Sequence, residues 1–395
     1  MINTSPPDEN SQKRLITAAY YVAFITLGLA IGAVGPVLPT LAQHTGVALD
    51  AISLIFITNS LGYMAGTWLG GRAYDRLPGH KLMAAALVLA SVMLIFLPGA
   101  SVLWLLALVM ALLGFFEGCV DVGGNTLLLW LHGSKVGPFM NGLHFFFGVG
   151  AFVAPILVAQ ITRLSGDIHW VFWSFAIVNL PIAFWIWRLP SPAARPAKAA
   201  VDQPKVQASP LILGLLVAFF LLYVGLEAGY ANWIYTYAIS LGLADAAGAA
   251  YLTSAFWGAF TLFRLVGVGI STRVPSQSIL ISNFVGATVG LGLVMLAPGS
   301  QTALWAGTFI LGASLASIIP TILTLAEQRL HLTGSITGWC FFGGGIGHML
   351  LPWLIGQAFV TLGPASMMVL LMIDLAFNVL VLGLLLRKSV YPSGI

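Results

Sequence analysis

Charged residues are scarce in this chain of 395 residues, because only 7% are Asp, Glu, Lys or Arg, against roughly a quarter in a soluble domain. So few charges cannot cover the surface of a soluble protein of this length, and 59% of the residues are hydrophobic. Cysteine is rarer still. Cys119 and Cys340 both fall inside apolar segments, which argues against a structural disulfide framework. The composition is that of a protein embedded in lipid.

Signatures of catalysis are also missing. No set of His, Asp and Glu residues has metal-ligand spacing, and no Ser or Cys lies near a residue that could act as its base. The triplet Gly343-Gly344-Gly345 lies within an apolar span and lacks the strand and loop of a phosphate site. We therefore predict no enzymatic activity, no cofactor and no resident metal. Membrane topology explains the net charge of +4 better than nucleic-acid binding does.

Turn and charge signals divide the chain into twelve apolar spans, each long enough to cross a bilayer as a helix. The spans lack the period-2 alternation of a β-barrel. The predicted fold class is an all-α membrane protein with twelve transmembrane helices. The predicted spans are 15–41, 51–71, 82–98, 102–131, 138–162, 168–187, 210–240, 247–270, 277–297, 302–326, 334–361 and 364–387.

Positive charges are distributed unequally between the two sides that these spans define. Of the 16 Lys and Arg residues, Arg163 alone falls on one side, and cytoplasmic loops are the ones that carry such an excess. We therefore expect a multi-pass protein of the inner or plasma membrane with both termini in the cytoplasm. The predicted units are a cytoplasmic N-terminus (1–14), a six-helix bundle (15–187), a cytoplasmic linker (188–209), a second six-helix bundle (210–388) and a cytoplasmic tail (389–395).

The two predicted bundles resemble each other at a constant offset of about 197 residues, a spacing shared by three regions of the chain. The matches include Gly148, Gly150 and Pro155 with Gly345, Gly347 and Pro352, and Arg76 and Pro78 with Arg273 and Pro275. Parallel halves around a site at the middle of the membrane are the plan of a secondary transporter.

Residues 70–81 resemble the loop signature of the major facilitator superfamily, in which Asp-Arg stands between glycines and basic residues. The resemblance implies two pseudo-symmetric six-helix bundles. In that family the loop belongs to a charge relay that latches the cytoplasmic side closed, and the resemblance gives this role to Arg72, Asp75 and Arg76. The alternative is a solvated basic loop that only sets the topology.

Further segments resemble the fucose permease branch of that superfamily, and within it the subgroup of the sodium-dependent glucose transporter of kidney. They are 117–125, 143–150, 223–233 and 345–352. The resemblance implies sugar transport and aligns Asp121 with the fourth-helix carboxylate of the fucose permease. The first span carries no acid or base, whereas the fucose permease has a carboxylate there. A relay between carboxylates of the first and fourth helices therefore does not carry over unchanged.

Glu117, Asp121 and Asn125 are spaced four residues apart, so they project from nearly one face of the fourth helix. A charge at mid-bilayer costs roughly 2.5–3.5 kcal/mol for Asp, and acids on successive turns also repel each other. We therefore predict ion coupling at Asp121 and Glu117, with H⁺ or Na⁺ as the ion and a Na⁺ site possible at Asp121. The alternative is a pair of structural acids bonded to a neighbouring helix.

Glu227 in the seventh span lies among aromatic and amide residues, which suit the hydroxyls and the C–H face of a polyol. It is the third predicted coupling residue, unless it only braces an interrupted helix. The predicted substrate-binding residues are Asn125, Asn141, His144, Tyr230, Asn232, Trp233 and His348. The two histidines could equally be packing residues with satisfied hydrogen bonds. For Asp374 a structural role is favoured.

The function predicted from these residues is cation-coupled symport of a small neutral polyol, such as a hexose, by a monomer in a lipid bilayer. A proton-coupled exporter of amphipathic compounds or lipids is the alternative. A membrane sensor that binds a ligand without moving it is disfavoured, because the sequence offers no soluble output domain.

Overall fold

A computed structural model of the protein describes residues 9–193, 210–330 and 334–388. In this part of the chain twelve helices are long and apolar enough to cross a membrane, which confirms the predicted fold class. They are α1 (Glu9–Thr45), α2 (Leu49–Ile52 and Leu54–Tyr74), α3 (Gly79–Phe96), α4 (Leu103–His132), α5 (Gly137–Ser165), α6 (His169–Arg188), α7 (Pro210–Ser240), α8 (Ala246–Ser271), α9 (Ser276–Leu296), α10 (Gln301–Leu315 and Ile318–Leu330), α11 (Gly334–Leu362) and α12 (Ala365–Lys388). The predicted N-terminus, linker and tail lie wholly or partly outside the described residues.

Two helices are interrupted where the hydropathy pattern predicts continuous spans. α2 has a break at Ser53, and α10 has a break at Ala316 and Ser317. Neither break contains a proline, but Pro320 stands four residues after Ala316 and has no N–H to donate to the Ala316 carbonyl. Side chains from other helices replace main-chain partners at the α10 break, as described below, and such partners are not visible in a hydropathy pattern.

The helices form two bundles whose pairings repeat. α1 packs along α5 and α2 along α4, as α7 packs along α11 and α8 along α10. The halves meet through α5 with α8, α2 with α11, and α1 with α7. With twelve crossings, α1 begins and α12 ends on the same side. This side is called the termini side below, and the opposite one the far side.

Glycines allow the closest of these helix contacts. A Cβ atom at Gly28 of α1 would collide with the Phe147 carbonyl of α5, and one at Gly150 would collide with the Ile25 carbonyl of α1. Backbones can approach this closely only where side chains are small, and without a hydrophobic force between helices such packing holds a membrane bundle together. The repeated glycines of α5 and α11 therefore follow from the way each half is packed.

We expect Gly150→Leu to lower the thermal unfolding midpoint in detergent by at least about 3 °C, because overpacking costs roughly 1–3 kcal/mol. The control is Gly383→Leu in α12, since a Cβ at Gly383 meets no atom within 4 Å. Midpoints come from size-exclusion chromatography of heated samples. Equal midpoints for the two variants would contradict the α1–α5 contact.

Candidate functional site

The two halves are joined across the far side and the middle of the membrane. On the far side Gln357 of α11 donates to the Asp50 carbonyl (2.8 Å) and to the Ser53 hydroxyl (3.2 Å) of α2. In the middle, Ser60 of α2 and His348 of α11 share a hydrogen bond of 2.9 Å. These contacts close the far side of the cleft between the halves.

Toward the termini side the facing helix ends carry exposed side chains. The exposed residues include Trp68 of α2, Asn141 of α5, Leu265 of α8 and Trp339 of α11. Deeper in the membrane Asp121, Asn125, His144 and Glu227 are each partly exposed, although they lie on helices that face the other half. The described hydrogen bonds that join α2 to α11 therefore lie on the far side and in the middle of the membrane, and the helix ends named above are exposed on the termini side.

The acids of α4 are held by polar side chains of α2. The Tyr63 hydroxyl donates to one oxygen of Asp121 (2.7 Å), and the Asn125 amide donates to the other (3.1 Å). One turn farther from the termini side, the Asn59 amide donates to Glu117 over 3.3 Å. The predicted face of α4 is thus assembled, and α2 adds two partners to it.

The two acids differ in surroundings. Asp121 is partly exposed and both of its oxygens have donors, whereas Glu117 is 4% exposed and has one long hydrogen bond from Asn59. Asp121 therefore lies beside the cleft, and Glu117 lies inside the first bundle. A buried carboxylate with so few donors is costly unless a proton or a cation accompanies it.

Glu227 of α7 lies beside the break in α10. The Tyr223 hydroxyl lies between the Glu227 carboxylate and the Leu315 carbonyl, to which it donates over 2.8 Å. Arg264 of α8 acts electrostatically on Glu227 and donates from Nε to the Ala316 carbonyl over 3.4 Å. The charge of an arginine therefore acts on Glu227, whereas the described hydrogen-bond partners of the α4 acids are neutral.

Arg264 is a site residue that the sequence did not predict. Its position suggested a cation at the end of α8 that reaches the membrane interface or pairs with a cytoplasmic acid. Instead its guanidinium lies 4.7 Å from the Phe260 ring centre, and its charge acts on His144 in the other half as well as on Glu227. The signal that could have found it is a charged residue within a predicted span.

Three predicted substrate ligands of α7 are buried inside the second bundle. The Tyr230 hydroxyl is bonded to Thr308 (2.7 Å), and the Trp233 indole donates to the Pro352 carbonyl (2.8 Å), with both side chains fully buried. Asn232 donates to the Ala228 carbonyl one turn earlier (2.9 Å). The structure does not bring these three polar groups to the cleft with the α4 acids.

The remaining predicted ligands lie along the cleft. His144 is partly exposed, with its ring 6.1 Å from that of Phe24, and Asn141 is exposed almost one turn closer to the termini side. His348 is occupied by Ser60 in the contact between the halves. Like Asp121 and Asn125, both His144 and Asn141 therefore keep exposed surface in the first bundle.

The residues of the predicted latch lie on the termini side. Arg72, Asp75 and Arg76 are exposed at the end of α2 and in the loop after it. The Arg72 guanidinium stacks 3.8 Å from the Trp68 ring centre and donates to the Trp68 carbonyl over 3.3 Å. Arg72 is therefore engaged with its own helix.

Comparison with known proteins identifies the chain. The model of the Major Facilitator Superfamily matches residues 20–352. The chain belongs to the Major Facilitator Superfamily. As a superfamily member it is a multi-pass membrane transporter and not an enzyme, as the sequence predicts.

Relatives and solved structures of superfamily transporters agree with this assignment. The mouse protein named sodium-dependent glucose transporter 1A is 28% identical over 372 residues, which cover 85% of this chain and 88% of that protein. A variant of the nucleoside transporter NupG has a TM-score of 0.76 at 15% identity, covering 96% of this chain and 100% of that one. The D-xylose-proton symporter has a TM-score of 0.74 at 13% identity, covering 93% of this chain and 97% of that one.

Proposed function

We propose that this transporter is a cation-coupled symporter of a small neutral polyol such as a hexose, working by alternating access with H⁺ or Na⁺ as the coupling ion. The observation that carries the proposal is the carboxyl group of Asp121, a partly exposed residue of a membrane-spanning helix. Within the described residues its partners are a phenol and an amide, so no basic side chain neutralises it. A membrane acid of this kind suits a group that exchanges a cation with the cleft.

The name of the mouse relative supports the substrate class, because it describes sodium-dependent transport of glucose. The side chains of Asn125, Asn141 and His144 support it too, because they keep exposed surface and supply the donors and acceptors that hydroxyls need. Tyr230, Asn232, Trp233 and His348 stay proposed ligands. The polar groups of these four residues would reach a substrate only after they break the hydrogen bonds described above.

The proposed coupling residues are Asp121, Glu117 and Glu227. Glu227 differs from the others because the positive charge of Arg264 acts on it, so a cation bound there would be repelled. The proposed orientation places both termini in the cytoplasm of an inner or plasma membrane, and the termini side would then face the cytoplasm. Arg72, Asp75 and Arg76 are the proposed latch that closes this side.

Transport assays test the proposal directly. Right-side-out vesicles containing the protein receive labelled glucose under an imposed sodium gradient, an imposed proton gradient, or neither. With one of the two ions we expect glucose to accumulate above the level of the control without a gradient. This accumulation should be lost when an ionophore dissipates the gradient.

Failure of both gradients to concentrate a panel of neutral sugars would contradict the symporter. The alternative function, export of amphipathic compounds by proton antiport, predicts a different result. Inverted, energised vesicles would then accumulate a lipophilic cation, and no sugar would change the unfolding temperature of the purified protein.

A further inference from the structure

A small cavity lies between helices of the first bundle. It is formed by α1, α3, α4 and α6, and all ten residues that line it are buried. Its volume of about 10 Å³ has room for about one water molecule or one small ion. Seven of the lining residues are aliphatic, including Leu87, Leu94 and Leu113, so three polar residues determine what the cavity can hold.

Those polar residues are Thr26 of α1, Glu117 of α4 and Asn179 of α6. Asn179 is only 4% exposed, and the oxygen of its amide is fully buried and has no hydrogen-bond partner within the described residues. An unpaired buried carbonyl oxygen costs roughly 1–3 kcal/mol, which helix packing alone does not recover. This oxygen needs a partner that the protein itself does not provide.

Each polar side chain around the cavity has acceptor capacity left, and the Asn179 NH2 is the one group among them with N–H donors. The Thr26 hydroxyl gives its hydrogen to the Ala23 carbonyl over 2.8 Å, which leaves its lone pairs as the remaining capacity. The Glu117 carboxylate accepts one long bond from Asn59, and Asn179 contributes its unpaired oxygen. Among the lining residues Glu117 alone is ionisable, so no lining residue compensates its charge.

A proton on Glu117 would remove its charge but could satisfy only one other acceptor. An occupant must satisfy the remaining oxygens, and the charge of the carboxylate when it is ionised, within a very small volume. A water molecule offers two hydrogens and no charge. A monovalent cation of the size of Na⁺ meets both requirements, because carboxylate, amide and hydroxyl oxygens are the ligands that hard cations prefer. Potassium is larger and fits a cavity of this volume less well.

We infer that the cavity lined by Glu117, Asn179 and Thr26 is a sodium site. The sequence favours Asp121 as the ion-binding acid, but both Asp121 oxygens already receive donors, whereas Glu117 lies beside a cavity with an unpaired oxygen. The two acids are one helical turn apart on α4. Asp121 is then the group between the ion and the cleft, and Glu117 is the group that holds the ion.

The role of this site in coupling rests on the proposed symport, but its ability to bind sodium does not. Binding is measured on purified full-length protein without sugar, by titration with labelled sodium at constant ionic strength in choline. We expect saturable sodium binding by the wild type and at least a tenfold weaker affinity for Glu117→Gln and Asn179→Leu. We expect Asn179→Asp, which keeps an oxygen ligand and adds a charge, to bind sodium at least as tightly as the wild type.

Matched controls come from the second bundle. Asp374 and Asn378 of α12 are also a buried acid and a buried amide with unpaired oxygens, and they lie outside the cavity. Asp374→Asn and Asn378→Leu should bind sodium like the wild type. If Asn179→Leu does not fold, Glu117→Gln and Asn179→Asp still test the site, because the first should weaken sodium binding and the second should not.

Three results would overturn the sodium site: no saturable binding by the wild type, affinities of Glu117→Gln and Asn179→Leu equal to those of the controls, or loss of binding in Asp374→Asn alone. Sugar uptake driven only by protons, without sodium binding, would reject the site and keep the symporter. Sodium binding without sugar uptake under any gradient would keep the site and reject the symporter.

Discussion

Replacing Asp121 with Asn should abolish most of the gradient-driven accumulation of sugar and leave the protein folded. The amide keeps the shape of the side chain and one acceptor oxygen. Asn125 can still donate to that oxygen and the Tyr63 hydroxyl can turn to accept from the new NH2, but the charge is lost. Hydrogen bonds to a charged group contribute about 1.5–3 kcal/mol, so a coupling equilibrium that depends on them changes by roughly 10- to 150-fold. We expect the accumulation ratio in vesicles to decrease by a factor in this range.

The readout separates coupling from substrate binding. Exchange of labelled for unlabelled sugar at equal concentrations requires binding and alternation but no net ion movement, so Asp121→Asn should retain it. Asp374→Asn, which removes a buried membrane acid of the other half, should accumulate sugar normally. Undiminished accumulation by Asp121→Asn would show that Asp121 is a structural acid.

The second large effect concerns the closure of the far side. Gly356 of α11 faces Ser53 of α2 and the Trp233 ring so closely that a Cβ would collide with the serine side chain. We expect Gly356→Leu to raise the free energy of the closed state by about 1–3 kcal/mol, because overpacking at a tight contact has costs of this size. That energy corresponds to roughly 5- to 150-fold in the equilibrium between closed and open states.

Cysteine labelling measures this shift. Ala231→Cys places a thiol at the contact of α7 with Gly35 of α1, where Ala231 is 5% exposed, while the native Cys119 and Cys340 are buried. The thiol should react with a polar maleimide at least about fivefold faster in the Gly356→Leu background. Gly338→Leu on the same helix is the control, since a Cβ there meets no atom within 4 Å. Equal labelling rates in both backgrounds would contradict a far side closed at Gly356.

Much of the fold was predictable because lipid simplifies the problem. In a bilayer a helix satisfies all of its backbone hydrogen bonds within one segment. The length of the apolar runs and the charge of the loops were therefore enough to count the spans. The face of α4 was predictable for a similarly local reason. Residues four apart share a helix face, and Glu117, Asp121 and Asn125 do so.

Partners on other helices were not predictable in this way. Tyr63 and Asn59 hold the α4 acids because α2 packs along α4, and Asn179 reaches the cavity because α6 packs beside α3. The aromatic run after Glu227 predicted a sugar-binding surface, yet composition does not reveal which way Tyr230 and Trp233 point. Their polar atoms are bonded inside the bundle, a fact that depends on Thr308 and Pro352.

The gap in α10 has a mechanical consequence. The carbonyls of Leu315 and Ala316 are already bonded to Tyr223 and Arg264, and Asn283 of α9 donates to Ser317 over 2.9 Å. Bending at this point therefore breaks no bond of an intact helical ladder. The two segments beside the gap pack differently, since Gln301–Leu315 lies against α8 and α9, whereas Ile318–Leu330 lies against α9. Replacing Arg264 would remove one of the side-chain partners that stand in for the helical ladder at this point.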